Sequence, residues 1–299
     1  MQQQLAKYLK PFAPFLGLAL LLLAIYYAFQ NLSFVTLQSI HPLYLFAIIA
    51  LVFLNLLLTS SLFHIITKSF PTTSPVRFRL MFKLITASSL LNYIPLLRPG
   101  LWGRAAYLKS SHNLALKDSL LILAIILGLS LYIFIPAASI LLLGVIYQFP
   151  SFAINLILLF AFILLTLIPR FTKPLIQKLL LNRTHAIVTP TLWPLLKIID
   201  MLIAALRLYL AFLALGSPIS YHSALLATAA SLLIKLLGLT PNGLGLSEWT
   251  VAGLIALTTP ITAPLAAAAA LIDRAADILL TLPLGLITAY QLKHKSTSK

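Results

Sequence analysis

The chain has no cysteine, a single glutamate and only five acidic residues in 299. Without cysteine there is neither a disulfide nor thiolate chemistry, and redox usage says nothing about compartment. So few acids leave little from which to build a carboxylate-held metal centre. The six histidines, His41, His64, His112, His185, His222 and His294, have no metal-ligand spacing. Gly243 and Gly245 are not followed by the Lys-Ser/Thr pair of a nucleotide cradle, and no GxSxG nucleophile elbow occurs. No metal, no other cofactor and no catalytic residue is expected. A prenyl or lipid transferase using Asp273 and Asp277 to hold Mg²⁺ would want more carboxylates than these two.

Hydrophobic residues make up 61% of the chain, charged residues 9%, and the mean hydropathy is +1.04. This excludes an ordinary soluble domain and predicts an all-α polytopic membrane protein, because helices satisfy their own backbone in hydrocarbon. The net charge of +16 comes from basic residues clustered between apolar runs. Such clusters mark loops facing the anionic cytoplasmic leaflet; a nucleic-acid partner is not expected. The location predicted is the bacterial inner membrane.

Six full spans are expected, at 14–31, 42–66, from 118 to about 135 with Pro136 and the run to Phe149 either extending it or lying at the interface, 151–168, 192–215 and 265–290, each near the roughly 20 residues that cross a bilayer. The run after Lys7 and Lys10 lacks a small-residue cleavage site, so it is taken as a span and not as a removed signal peptide. Basic loops between spans place both termini in the cytoplasm. Two apolar stretches do not fit the pattern. Residues 84–97 are too short to cross with confidence and end in Asn92, Pro95, Arg98, Pro99 and Gly100, with basic residues on either side. Residues 221–258 are split by Pro241, Gly243 and Gly245. Both read as broken or re-entrant segments, since irregular backbone at membrane depth is tolerated only inside protein or along a polar cavity. The second can be two thin spans or a re-entrant loop. The chain then forms one membrane domain, 1–299, with half-repeats 1–149 and 150–299 of opposite entry, an inverted repeat.

Charges in apolar segments need partners or water, costing about 2.5–3.5 kcal/mol each on the insertion scale. In the second half Lys197, Arg207, Lys235 and Arg274 balance Asp200, Glu248, Asp273 and Asp277. The spacing of Lys197, Asp200 and Arg207 puts them on one helical stripe with Ala204, and Asp273 and Asp277 share a face. An internal gating or charge network follows, with Lys235 or Arg274 as partner of Glu248; simple helix-to-helix fastening is the competing reading. Arg98 and Arg104, with only Asp118 nearby in sequence, suit a phosphate's bidentate recognition, or alternatively sit at the interface as positive-inside residues. With Asn92 and Gly100 they form the candidate substrate-binding set.

The run NYIPLLRPGLWGRAAYLK (92–109), PNGLGLSE (241–248) and Arg274 together resemble a flippase-like family related to the transmembrane region of lysylphosphatidylglycerol synthetases. The resemblance covers residues from about Leu80 to the C-terminus. Asn242 stands where the family has glycine, Leu101 where it has an acid, and the charged residues of its next span are missing from 120–131. The resemblance implies a lipid translocase that binds the phosphate of an anionic or polyprenyl-linked lipid. Its partners would be membrane lipids, with a homo-oligomer or a biosynthetic enzyme as further candidates. The alternative is a non-transporting scaffold of a lipid or glycan biosynthetic complex. Lysyl transfer is not expected from 299 residues.

Overall fold

The computed structural model describes residues 13–31, 41–93, 99–171 and 191–297; Pro95 and Arg98 lie outside them. The described residues contain ten α-helices and no strand. They are α1 (Ala13–Asn31), α2 (Pro42–Thr67), α3 (Phe78–Leu91), α4 (Pro99–His112), α5 (Leu116–Ile146), α6 (Ser151–Phe171), α7 (Leu192–Ala214), α8 (Tyr221–Leu237), α9 (Leu246–Thr258) and α10 (Ala263–Thr297). The chain is an integral membrane protein of the all-α class.

Local chemistry sets the helix ends. Pro42 begins α2 behind His41, whose Nδ1 accepts from the Leu43 amide. Ser220 caps α8 by accepting from the Ser223 amide at 3.0 Å. Of the two possibilities for the third span the longer holds: α5 runs on through Pro136 to Ile146 as a single 31-residue helix. Among the described residues α2, α5 and α6 are long and apolar enough to cross a membrane. The long helices α7 and α10 carry charges within their apolar sequence, Lys197, Asp200 and Arg207 on the first and Asp273, Arg274 and Asp277 on the second. Several hydroxyls along the helices, among them Ser60, Thr67, Ser130 and Thr166, donate to the carbonyl four residues back, so that these four bring no unsatisfied donor into an apolar setting.

The two halves carry elements in the same order. Lengths run 19, 26, 14, 14 and 31 residues for α1–α5, against 21, 23, 17, 13 and 35 for α6–α10. Each half has a short broken pair, α3/α4 and α8/α9, whose members pack on each other. Packing crosses between halves: α2 lies on α7, α3 on α10, and α8 on α5. Gly100 lets α3 and α4 touch. A Cβ there would stand 2.1 Å from the Ser88 carbonyl oxygen, and the Ser88 hydroxyl donates to the Gly100 carbonyl at 2.8 Å. A run of buried alanines, Ala266 to Ala270, brings α10 into the core shared with α7 and α9. Outward faces are apolar, most plainly on α6, where Phe152, Leu156, Leu159 and Phe160 are exposed.

Candidate functional site: a polar cavity between two broken helical pairs

The second break starts where Gly238 ends α8 in the left-handed conformation (φ 65°). A single 3-10 turn, Pro241–Gly243, follows, and Gly245 (φ 77°) then leads into α9. Gly243 is held at φ 71°, and a Cβ on it would lie 2.5 Å from Cγ of Lys235. The missing side chain is therefore what lets the stem of Lys235 lie against the turn.

Such a break strands peptide groups, and Arg274 of α10 meets them. Its Nε donates to Glu248 Oε1 at 2.6 Å, its Nη2 to Ser247 Oγ at 2.7 Å, and both Nη atoms to the Asn242 carbonyl at 3.3 Å. One guanidinium thus ties the turn inside the break to the start of α9, in the planar fork geometry only arginine supplies. Glu248 is 2% exposed and lies in the first turn of α9, where the helix dipole favours an acid.

Two more pairs, partly buried, lie beside it. Arg207 of α7 reaches Asp273 of α10 at 2.8 Å, and Lys197 pairs with Asp200 at 3.0 Å along α7. Asn55, near the middle of α2, links them: its amide donates to Asp200 Oδ1 at 2.8 Å and its carbonyl oxygen accepts from Arg207 at 3.3 Å. From the first broken pair, the Tyr93 hydroxyl donates to Asp277 Oδ2 at 2.6 Å. Helix α10 is consequently the hub. Its residues 273, 274 and 277 each grip a different element: α7, the second break and the end of α3.

These groups surround a cavity of about 280 Å³. Its wall includes Ser89, Asn92 and Tyr93 from the first broken pair, Lys235 and Asn242 from the second, Asn55 and Thr59 from α2, and the expected stripe of Lys197, Asp200, Ala204 and Arg207. Behind it lies a smaller chamber of about 80 Å³, reached by Thr228, Ser231, Lys235 and Glu248. The tips of both broken pairs thus contribute to one polar space.

Other expected residues fall elsewhere. Arg104 does not line the cavity; it is buried with its guanidinium carbon 3.9 Å from the centroid of the Phe63 ring on α2, a cation–π contact. Helix α4 turns Arg104 toward α2 and away from the cavity. Gly100 serves the α3/α4 contact, and Pro99 opens α4. Asn55 and Tyr93 were missed. Asn55 stands alone in the apolar run LVFLNLLL, and a lone amide in mid-span is a signal that could have found it. Tyr93 offered none, because aromatics near helix ends are common in membrane proteins.

By class, then, this is a polytopic helical membrane protein whose charged groups are gathered around an internal cavity between two interrupted helical pairs. The chain belongs to the family of lysylphosphatidylglycerol synthase transmembrane regions, whose model matches residues 15–285. That family makes it a membrane protein of lipid metabolism or transport. No curated protein and no solved structure matches it.

Proposed function

We propose that the protein moves lipids between leaflets, taking the phosphate head group of an anionic or polyprenyl-linked lipid into the cavity while the hydrocarbon chains stay in the bilayer. The observation that carries this reading is the cavity itself: a polar, cation-bearing space beside the middle of α2, walled by both broken pairs. Four basic groups, Lys197, Arg207, Lys235 and Arg274, reach it and offer a phosphate its charge-assisted donors. A volume of about 280 Å³ is at the small end for a ligand site and favours a compact head group over a large glycan.

The matching order of elements in the two halves, with packing partners exchanged between them, supports an inverted repeat, and in such repeats rocking of one half on the other exposes a central site alternately. The broken pairs then enter from opposite faces as re-entrant hairpins, in a cytoplasmic membrane with both chain ends inside. The protein acts as a carrier in this reading, without covalent chemistry.

A scaffold role has one observation in its favour: the acids Asp200, Asp273 and Glu248 already have internal cationic partners, as helix fasteners would. Reconstitution into liposomes with tail-labelled phosphatidylglycerol separates the two. A carrier moves label between leaflets, and Lys197→Gln and Lys235→Gln each slow it at least severalfold. A wild-type protein that moves no lipid but co-purifies with a biosynthetic enzyme makes the scaffold reading the right one.

A further inference from the structure

The chamber of about 80 Å³ behind the cavity brings together two polar atoms that the rest of the protein leaves unmet. Glu248, 2% exposed, gives Oε1 to Arg274, but its Oε2 has no hydrogen-bond partner among the described residues. Thr228 of α8, 5% exposed, borders the same chamber, and its Oγ1 has none either. It departs from the hydroxyls that turn back to their own helix. Ser231 and Ser247 also line the chamber and keep the capacity to accept, since each hydroxyl donates to a backbone carbonyl.

A buried carboxylate oxygen and a buried hydroxyl are costly to leave bare, so a ligand that donates to the first and also bonds the second belongs between them. The wall of the chamber narrows its chemistry. Arg207 and Arg274 border it and disfavour a metal cation, and no group of three His, Asp or Glu side chains placed to hold a metal occurs among the described residues. The Glu248 carboxylate disfavours an anion. Water donates and accepts at once, and the chamber has room for more than one molecule, each needing on the order of 10–15 Å³.

We propose that the chamber is an internal water site, in which water donates to Glu248 Oε2 and bonds Thr228 Oγ1, bridging the two arms of the second broken pair. The cavity and the chamber share Arg207, Lys235, Asp273 and Arg274 as wall, so the polar space continues from one to the other behind the Arg207–Asp273 pair. The far oxygen of Glu248 is solvated there while the near one stays on its arginine. A water bridge is nearly as favourable as a direct bond and adjusts to a change of distance, so α8 and α9 can shift against each other without baring either group. The site does not depend on what the cavity carries.

The experiment is X-ray radiolytic footprinting of the full chain in nanodiscs, read by mass spectrometry. Radiolysis splits bound water in place, and the hydroxyl radical marks the side chains beside it. Leu208 and Val251 line the chamber and are each 4% exposed, whereas Leu141, 1% exposed, lies in the core shared by α5 and α7. Leu208 and Val251 take up oxygen severalfold more than Leu141, and radicals made in bulk from peroxide leave all three unmarked. Thr228→Val keeps the shape and removes the hydroxyl; labelling of Leu208 and Val251 falls severalfold. Wild-type labelling at the level of Leu141 means a dry chamber and overturns the proposal, and this holds even if the variant does not fold. Equal marking by bulk radicals assigns the signal to solvent entering from outside and overturns it, as does labelling unchanged in Thr228→Val, which removes Thr228 from the bridge.

Discussion

Arg274 answers a problem created by the interrupted backbone at 238–245. Peptide groups that leave a helix at membrane depth have no water to turn to, and a guanidinium with several donors can serve both sides of the gap. The chain's only glutamate is there to balance it. Removing one partner of such a buried pair leaves a bare charge, so Glu248→Gln and Arg274→Leu should each cost about 3–5 kcal/mol of stability. The double variant should lose much less than the sum, and the melting temperatures of the four proteins check this as a double-mutant cycle. Gly243 poses a different constraint. Gly243→Ala forces a side chain into the left-handed region and against Lys235 at once, with a cost of roughly 1–3 kcal/mol. Because the displaced group is a cavity cation, the lipid-transfer rate should drop as well, which thermal stability measured beside it distinguishes from simple unfolding.

At the scale of elements, α10 holds the two broken pairs to the rest of the molecule. One helical turn carries Asp273, Arg274 and Asp277, and their contacts fan out to α7, to the second break and to α3. Tyr93→Phe removes the hydrogen bond that ties the chain just after α3 to α10. A lone hydrogen bond to a charged group contributes about 1.5–3 kcal/mol, so this substitution should lower the melting temperature without unfolding the protein. Hydrogen exchange should speed up at the C-terminal end of α3 and stay unchanged in α9, which Arg274 still holds. The helix α4, in contrast, is fastened through Arg104 on Phe63 and through Gly100 on Ser88, away from the cavity.

At the scale of the molecule, the inverted-repeat reading makes a topological prediction that a chain without cysteine is well suited to test. Thr73→Cys, between α2 and α3, and Ser217→Cys, between α7 and α8, occupy equivalent places in the two halves. Opposite entry of the halves puts them on opposite faces. An impermeant thiol reagent applied to intact cells should therefore label Ser217→Cys and spare Thr73→Cys until the membrane is opened. Equal labelling of both would end the inverted reading while leaving the helical fold as it is.

Much of this architecture is written in hydropathy and charge. Apolar runs of membrane length fix where helices lie, because an unpaired backbone cannot remain in hydrocarbon, and the expected spans at 42–66, 151–168 and 192–215 agree with α2, α6 and α7 to within a few residues. Pro241, Gly243 and Gly245 likewise announce the second break, since their conformational limits are local. The pairing of Glu248 with Arg274 was legible as one of two options, because a buried charge must find an opposite one. The end of α5 was legible in the same way, as one of two options, since a proline can either stop a long helix or sit inside it when its neighbours absorb the loss.

What only the tertiary structure decided is which charges share a space. Hydropathy carries no information on how helices rotate about their axes once all of them are apolar, and rotation sends Arg104 to Phe63 while bringing Asn55 and Tyr93, from elsewhere in the sequence, to Asp200 and Asp277. The sequence by itself determined a helical membrane protein with balanced charges in its second half. The packing of α3 and α8 against α10 and α5 decided that those charges, and the tips of both broken pairs, meet around one cavity.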